Sequence, residues 1–354
     1  MIVSWIDIST GSDRDGNNHM TRRLFRRQCA ALSLAIAPTL IAGTAANAAV
    51  TGRAHVAGRT HVAGQHASAA AQQSGPRVIC VAQTHKYDTL AVKMAHDIDA
   101  RLTGRVSTVG LKEIDSGTGI TCTYHATWHF YAASVIKATI LGALLRMAQE
   151  QNRHLTARER RLAWLMITQS NNDAATALWN EVGPRRMQHF LNLAAMTQTK
   201  LAHAWGLSLL TAHDEILLLR LLSRPNRILS LSSRVYAQYL MSHVISSQRW
   251  GVPAGAPTSV TVHVKNGWLP YPVSNNWEIN SVGFFRSTKP FRVYEIAMLT
   301  HHNATMAYGI DTIEGAARVI HRDLHPGATS VILPSVPNPS WGIPDEPIPV
   351  RQGS

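Results

Sequence analysis

Residues 130–150 read FYAASVIKATILGALLRMAQE. Counting from Ser134, the apolar residues Val135, Ile136, Ile140, Leu141, Leu144, Leu145 and Met147 leave almost no polar face, so the spacing predicts a helix over 134–150 buried in a large core. Ser134 and Lys137 go inside with it. A buried lysine loses several kcal/mol of hydration unless it is neutralised or partnered, so its presence at the head of such a helix asks for a chemical reason. Three positions apart, the two residues lie about 60° from each other around the helix and roughly 4.5 Å along it, on one face. A neutral lysine so placed can take the serine proton, and the helix N-terminus adds backbone N–H dipoles beside an attacked carbonyl. By itself Ser-x-x-Lys is expected by chance in most chains of this length, so the rest of the sequence must carry the case.

Outward from that helix, Leu90, Met94, Ile98 and Leu102 fall at helical spacing over 86–103. Residues 106–126 (VSTVGLKEIDSGTGITCTYHA) alternate and turn at Asp115-Ser116-Gly117, which predicts a hairpin. Further helices are predicted at about 156–169, 173–181, 184–195 and 212–223. Strands return at 261–268 (TVHVKNGW), 277–286 (WEINSVGFFR) and 294–302 (YEIAMLTHH), and a last helix runs over 309–324. Strands at both ends with helices between imply an α+β fold, an α/β sandwich. Its antiparallel sheet of about five strands comes from both chain ends, flanked by helices, with an all-helical subdomain alongside.

The ends read differently from the middle. From Met20, the expected start, the sequence has a basic segment (Arg22, Arg23, Arg26, Arg27), an apolar run and the small-residue site Ala46-Asn47-Ala48. That order is a signal peptide with cleavage after Ala48, and Thr21-Arg22-Arg23-Leu24-Phe25-Arg26 resembles a twin-arginine export signal. The expected destination is secreted or associated with the cell envelope. Residues 1–48 thus form a leader, 49–76 a disordered linker too poor in large apolar groups to pack, 77–325 the folded domain, and 326–354 a proline-rich tail. No later stretch is long and apolar enough to span a bilayer. The linker histidines are irregularly spaced with no carboxylate or cysteine nearby, which argues against a metal site. Within 77–325 there are 26 Lys+Arg and 16 Asp+Glu, a net of +10, but the cations are scattered and no nucleic-acid motif interleaves them with aromatics. Cys29 leaves with the leader, so Cys80 and Cys122 remain as a pair expected to close one disulfide in an oxidising compartment.

Two more motifs complete a set. Ser170-Asn171-Asn172 follows the helix ARERRLAWLMITQ, and Lys265-Asn266-Gly267 sits on a strand near the C-terminal end of the domain. With Ser134-x-x-Lys137 they resemble the Ser-x-x-Lys, Ser-Asp-Asn and Lys-Thr-Gly motifs of class A β-lactamases and penicillin-binding peptidases. The flanks ITQSNNDAATALW, GVPAGAPTSVTVHVKNGW and WEINSVGFF are similar to the family as well, so the resemblance spans about residues 80–324. It implies that Ser134 is acylated, that Lys137 is its general base, and that Ser170 relays the proton to the leaving nitrogen. It further implies that Asn172 holds a substrate amide and that Lys265 keeps Ser170 poised and attracts the substrate carboxylate. The backbone N–H groups of Ser134 and Trp268 would form the oxyanion hole. Gly267 would let the substrate backbone approach the strand edge.

The sequence also departs from the family. Asn171 stands where the second motif has an acid, and Asn266 stands where the third has a hydroxyl that recognises carboxylate. The stretch between Ser134 and Ser170 is short, so a lower groove wall is expected. The loop that in class A enzymes supplies the deacylating glutamate here spans residues 182–213 without one Asp or Glu, and Glu181 is expected to face away from the site. His203 is the candidate substitute base. Trp164, Trp179 and Trp205 read as core or groove wall, and His301-His302 as a solvated strand edge. The reading is an exported serine hydrolase acylated at Ser134 by a β-lactam or a peptide-like amide or ester, with slow deacylation. Alternatives are a penicillin-binding or D-alanyl peptidase-type acyltransferase on cell wall, or a non-catalytic envelope-binding protein. No metal or organic cofactor and no nucleic acid is implied. The expected partner is a small-molecule β-lactam or a cell-wall peptide, met by a monomer.

Overall fold

The computed structural model describes residues 77–270, 276–288 and 291–330. The segments expected to be leader and linker, and the tail past Ser330, lie outside the described residues. In chain order the strands are β1 (Ile79–Val81), β2 (Thr108–Asp115), β3 (Thr121–Tyr124), the two-residue β4 (Phe130–Tyr131) and β5 (Leu209–Leu210), then β6 (Thr261–Pro270), β7 (Trp277–Thr288) and β8 (Phe291–Asn303). The helices are α1 (Asp88–Leu102), α2 (Ile136–Glu150), α3 (Ala157–Thr168), α4 (Asn172–Leu193), α5 (Ala212–Ser223), α6 (Leu231–Ser242) and α7 (Met306–Leu324).

The main sheet is antiparallel and follows the order β1-β3-β2-β8-β7-β6, so β2 from the N-terminal end lies against β8 from the C-terminal end. It has one strand more than expected. The extra one, β1, is three residues long and is held by pairing to β3, where Cys80 stands opposite Cys122 and the two form the expected disulfide. The hairpin turn falls after Asp115 because that carboxylate accepts from the N–H groups of Gly117 (3.1 Å) and Thr118 (2.7 Å) and also pairs with Arg292 of β8.

Alternation along β8 divides the core. Tyr294, Ile296 and Met298 join Met94 and Ile98 of α1 and Ile310, Ile313 and Ile320 of α7 in one cluster. Ala297 and Leu299 join Ile136 and Leu141 of α2, Leu178 of α4 and Leu219 of α5 in the other. Helices cover both faces, so the central strands bury polar groups as well as apolar ones: Glu113 and Asp115 of β2, Asn280 and Ser281 of β7 and Glu295 of β8 are all fully buried.

The break expected between helices at 173–181 and 184–195 is present: α4 is two helical runs joined across a kink at Gly183, whose backbone (φ 73°, ψ 160°) is not helical and which precedes Pro184. Proline there has no N–H to give the preceding turn, so the hydrogen-bond ladder breaks. Helix α6 was not predicted, because its large apolar residues Leu231, Val235 and Tyr239 point outward while Arg234, Ala237, Leu240 and Met241 are buried. An inverted pattern of that kind gives no helical stripe to read.

Candidate active site

Strand β4 leads through Ala132 into a 3-10 turn, Ala133–Val135, that opens α2, and Ser134 sits in that turn. Ala133 has φ 45°, a left-handed conformation that a non-glycine residue adopts only where its surroundings hold it. The holding groups are visible. Ala132 N donates to Ser208 O (2.8 Å), and Asn280 Nδ2 on β7 donates to Tyr131 O (2.8 Å) while its Oδ1 accepts from Thr300 N (3.1 Å). On the β6 side, a Cβ added at Gly267 would meet Ser134 N at 2.8 Å and Val135 N at 2.9 Å. The glycine therefore lets β6 lie against the serine turn itself.

Lys137, one turn on, is fully buried. Its Nζ lies within hydrogen-bonding distance of two carbonyl oxygens, Ser170 O (2.6 Å) and Asn172 Oδ1 (2.7 Å), and of the Ser170 hydroxyl, Oγ (3.1 Å). Ser170 ends the segment after α3 with φ 56°, which turns its hydroxyl and its carbonyl toward the same amine. Asn171 faces solvent and caps α4, its Oδ1 accepting from Ala174 N (2.8 Å), so the amide that stands in the second motif is a helix cap. From β6, fully buried Lys265 donates to Ser170 Oγ (3.0 Å) and to Asn266 O (2.6 Å). Asn266 itself turns its amide onto the carbonyls of Gln248 and Trp250, both at 2.9 Å, and ties β6 to that loop.

Ser170 Oγ thus lies between two buried amines. One hydroxyl offers one proton and can accept from the other side, which suits one lysine neutral and one cationic. Burial pushes the Lys137 amine well below its usual range, and the charge of Lys265 adds to that. Burial pushes Lys265 down to about 7. The Trp205 ring faces Lys137 Nζ with its centroid 4.8 Å away. Ring faces favour a cation by about 0.5–2 kcal/mol, less than the several kcal/mol of hydration a buried ammonium gives up, so the ring does not reverse the downward push of burial.

Trp205 belongs to the loop between α4 and α5. Its Nε1 donates to Thr176 Oγ1 of α4 (3.1 Å). The loop is anchored by buried Asp214, whose Oδ2 accepts from Gln198 N (2.9 Å), Thr199 N (2.7 Å) and Thr199 Oγ1 (2.8 Å). His203 in the same loop is exposed. Glu181 is engaged by Arg158. Trp164 and Trp179 pack against the core on the helical side. His301 meets the edge of Phe130 at 5.2 Å, and burial pushes its imidazole down to about 4. Among the described residues no group of three His, Cys, Asp or Glu side chains converges as a metal site would.

The geometry therefore gathers Ser134, Lys137, Ser170, Asn172, Lys265 and Gly267 from three separate segments, and turns the side chain of Asn266 toward the 248–250 loop. Sequence reasoning missed the supporting residues Asn280 and Asp214 and the contact of Trp205 with Lys137.

A family model described as the β-lactamase enzyme family matches residues 151–324, a span that takes in Ser170 and Lys265 and begins beyond Ser134 and Lys137. No curated protein matches the chain. Among solved structures, a representative class A β-lactamase from Bacteroides cellulosilyticus DSM 14838 superposes with a TM-score of 0.58 at 17% identity, over 66% of this chain and 97% of that one. A variant of PBP-A, solved as an acyl-enzyme complex with penicillin G, gives a TM-score of 0.56 at 17% identity, over 67% and 96%. The TLA-1 extended-spectrum β-lactamase gives 0.59 at 14% identity, over 66% and 98%. The fold is that of the class A β-lactamase-like serine hydrolases.

Proposed function

We propose that this chain is an exported serine hydrolase that forms an acyl-enzyme at Ser134 with a β-lactam or a peptide-like amide or ester and releases it slowly. The observation that carries the reading is Ser170 Oγ held between two buried amines, Lys137 at 3.1 Å and Lys265 at 3.0 Å, beside the turn that presents Ser134. Neutral Lys137 takes the Ser134 proton as Oγ attacks the carbonyl carbon. The backbone N–H groups of Ser134 and Trp268 receive the oxyanion, a contribution of roughly 3 kcal/mol per donor in such sites. When the C–N bond breaks, the proton passes from Lys137 through Ser170 to the leaving nitrogen. Lys265, as the cation, orients Ser170 and attracts the substrate carboxylate. Asn172, set against Lys137, would hold the substrate amide.

Slow release rests on the loop. Hydrolysing the ester requires a water held and deprotonated beside it, yet residues 182–213 carry no carboxylate and Glu181 is paired with Arg158. The same observation favours a second reading, a penicillin-binding or D-alanyl peptidase-type acyltransferase on cell wall. The signal-like leader and the Cys80–Cys122 disulfide support export.

An intact-mass time course with benzylpenicillin tests the reading. The expected result is one equivalent bound at Ser134, then slow turnover, with no labelling of Ser134→Ala. Labelling that persists in Ser134→Ala would overturn the nucleophile, and no adduct with the wild type would point to a non-catalytic envelope-binding protein. Rapid turnover without an accumulating adduct would overturn slow release.

A further inference from the structure

We propose that Trp205 is the positioning residue that sets the lifetime of the acyl-enzyme, because its indole fills the side of Lys137 where a hydrolytic water would have to stand. The proposal rests on the reading of Ser134 as the acylated nucleophile. The polar partners of Lys137 Nζ, namely Ser170 O, Ser170 Oγ and Asn172 Oδ1, come from one segment, residues 170–172. The Trp205 ring covers the amine from the loop between α4 and α5, its centroid 4.8 Å from Nζ. A water bonded to the amine needs about 2.8–2.9 Å to the nitrogen and roughly 3.3–3.5 Å to the ring carbons beyond it. The sum, roughly 6 Å, exceeds the 4.8 Å between Nζ and the ring centroid, so no water fits between the amine and the ring face.

The ring is fixed where it stands. Its Nε1 donates to Thr176 Oγ1 at 3.1 Å, and the next residue, Gly206, brings the loop to the nucleophile turn, where an added Cβ would lie 4.0 Å from Ala133 Cα. The loop meets that turn again at Ser208, whose carbonyl accepts from Ala132 N. Trp205 therefore moves only if the Thr176 bond or the loop gives way.

Deacylation would proceed by attack of water oxygen on the ester carbonyl carbon while Lys137 takes the water proton. The bond from carbon to Ser134 Oγ then breaks, Lys137 returns the proton to Oγ, and the free acid leaves. Acylation does not need that water, since Lys137 takes its proton from Ser134 directly. Trp205 thus blocks the second half-reaction and spares the first.

The test follows adduct loss by intact mass after a pulse of benzylpenicillin, in the wild type and in Trp205→Ala, Trp205→Phe and Thr176→Val. Trp205→Ala is expected to shorten the adduct lifetime at least about 10-fold, below the 10²- to 10⁴-fold that a positioned base supplies. Trp205→Phe, which keeps a ring over Lys137, is expected to stay within about 3-fold of the wild type. Thr176→Val keeps the indole and frees its N–H, with an expected shortening of about 2- to 5-fold, and it decides the matter if Trp205→Ala does not fold. If the variants acylate normally and their adducts live as long as the wild-type adduct, the role of Trp205 is overturned while Ser134 chemistry stands. If the wild type takes up no penicillin at Ser134, the proposed function fails and this inference with it.

Discussion

At Ser170 two buried amines, Lys137 and Lys265, share one hydroxyl, and in the proposed mechanism the protonation of that pair governs acylation of Ser134. Lys137→Ala removes the proposed base and is expected to slow acylation about 10²- to 10⁴-fold, measured as the rate of penicillin uptake by stopped-flow. The pH dependence follows from the directions of the two shifts. Lys137, pushed down by burial and by the charge of Lys265, must be neutral to accept a proton, so acylation is lost as pH falls through its depressed pKa. Lys265, pushed down by burial to about 7, must be charged to orient Ser170 and draw in the carboxylate, so acylation also falls as pH rises past about 7. The two limbs belong to the pair rather than to either residue. Lys265→Arg carries a charge that does not titrate in this range, and its profile should lose the alkaline limb. The same alkaline limb in that variant would show that another group causes it.

At the scale of elements, what was legible in the sequence divides by whether a residue's chemistry or its place carries the signal. Ser134, Lys137 and Ser170 stand out because polar groups at fixed offsets interrupt apolar runs, and the Gly183-Pro184 break in α4 was readable for the same kind of reason. Helix α6 was not, since it buries Arg234 and exposes Leu231, Val235 and Tyr239. Nor was the anchoring of the loop after α4, because Asp214 reads locally as one more acid in the first turn of α5. In three dimensions its Oδ2 collects the N–H groups of Gln198 and Thr199 and the Thr199 hydroxyl across 15 or more residues of chain. Asp214→Ala would strand buried backbone donors, and hydrogen bonds to a charged group are worth about 1.5–3 kcal/mol each. A loss of roughly 2–5 kcal/mol in urea unfolding is expected, with Asp214→Asn recovering much of it because one oxygen can still accept. Unchanged stability in Asp214→Ala would mean that the loop is held by its other contacts.

Across the whole molecule, the sheet separates the disulfide-bonded edge from the edge proposed to take part in the chemistry. In the order β1-β3-β2-β8-β7-β6 the disulfide joins the first two strands, and β6, which carries Lys265 and Gly267, is the strand at the opposite edge. Strand β1 has only three residues, and its pairing with β3 offers few ladder bonds, so a covalent link there is effective in keeping it attached. The bridge spans a sequence separation of 42, for which the chain-entropy model gives about 2–4 kcal/mol, mostly by restricting the unfolded chain. Replacing both cysteines by alanine should therefore lower the unfolding midpoint clearly. The same variant should acylate Ser134 at the wild-type rate at temperatures where it remains folded, because three strands lie between the bridge and β6. Denaturant unfolding and penicillin uptake measured on one preparation check both halves of the expectation. Acylation that slows in the folded variant would tie the β1–β3 edge to the site, and an unchanged midpoint would leave the sheet's own pairing and the α1 and α7 core as what holds that edge.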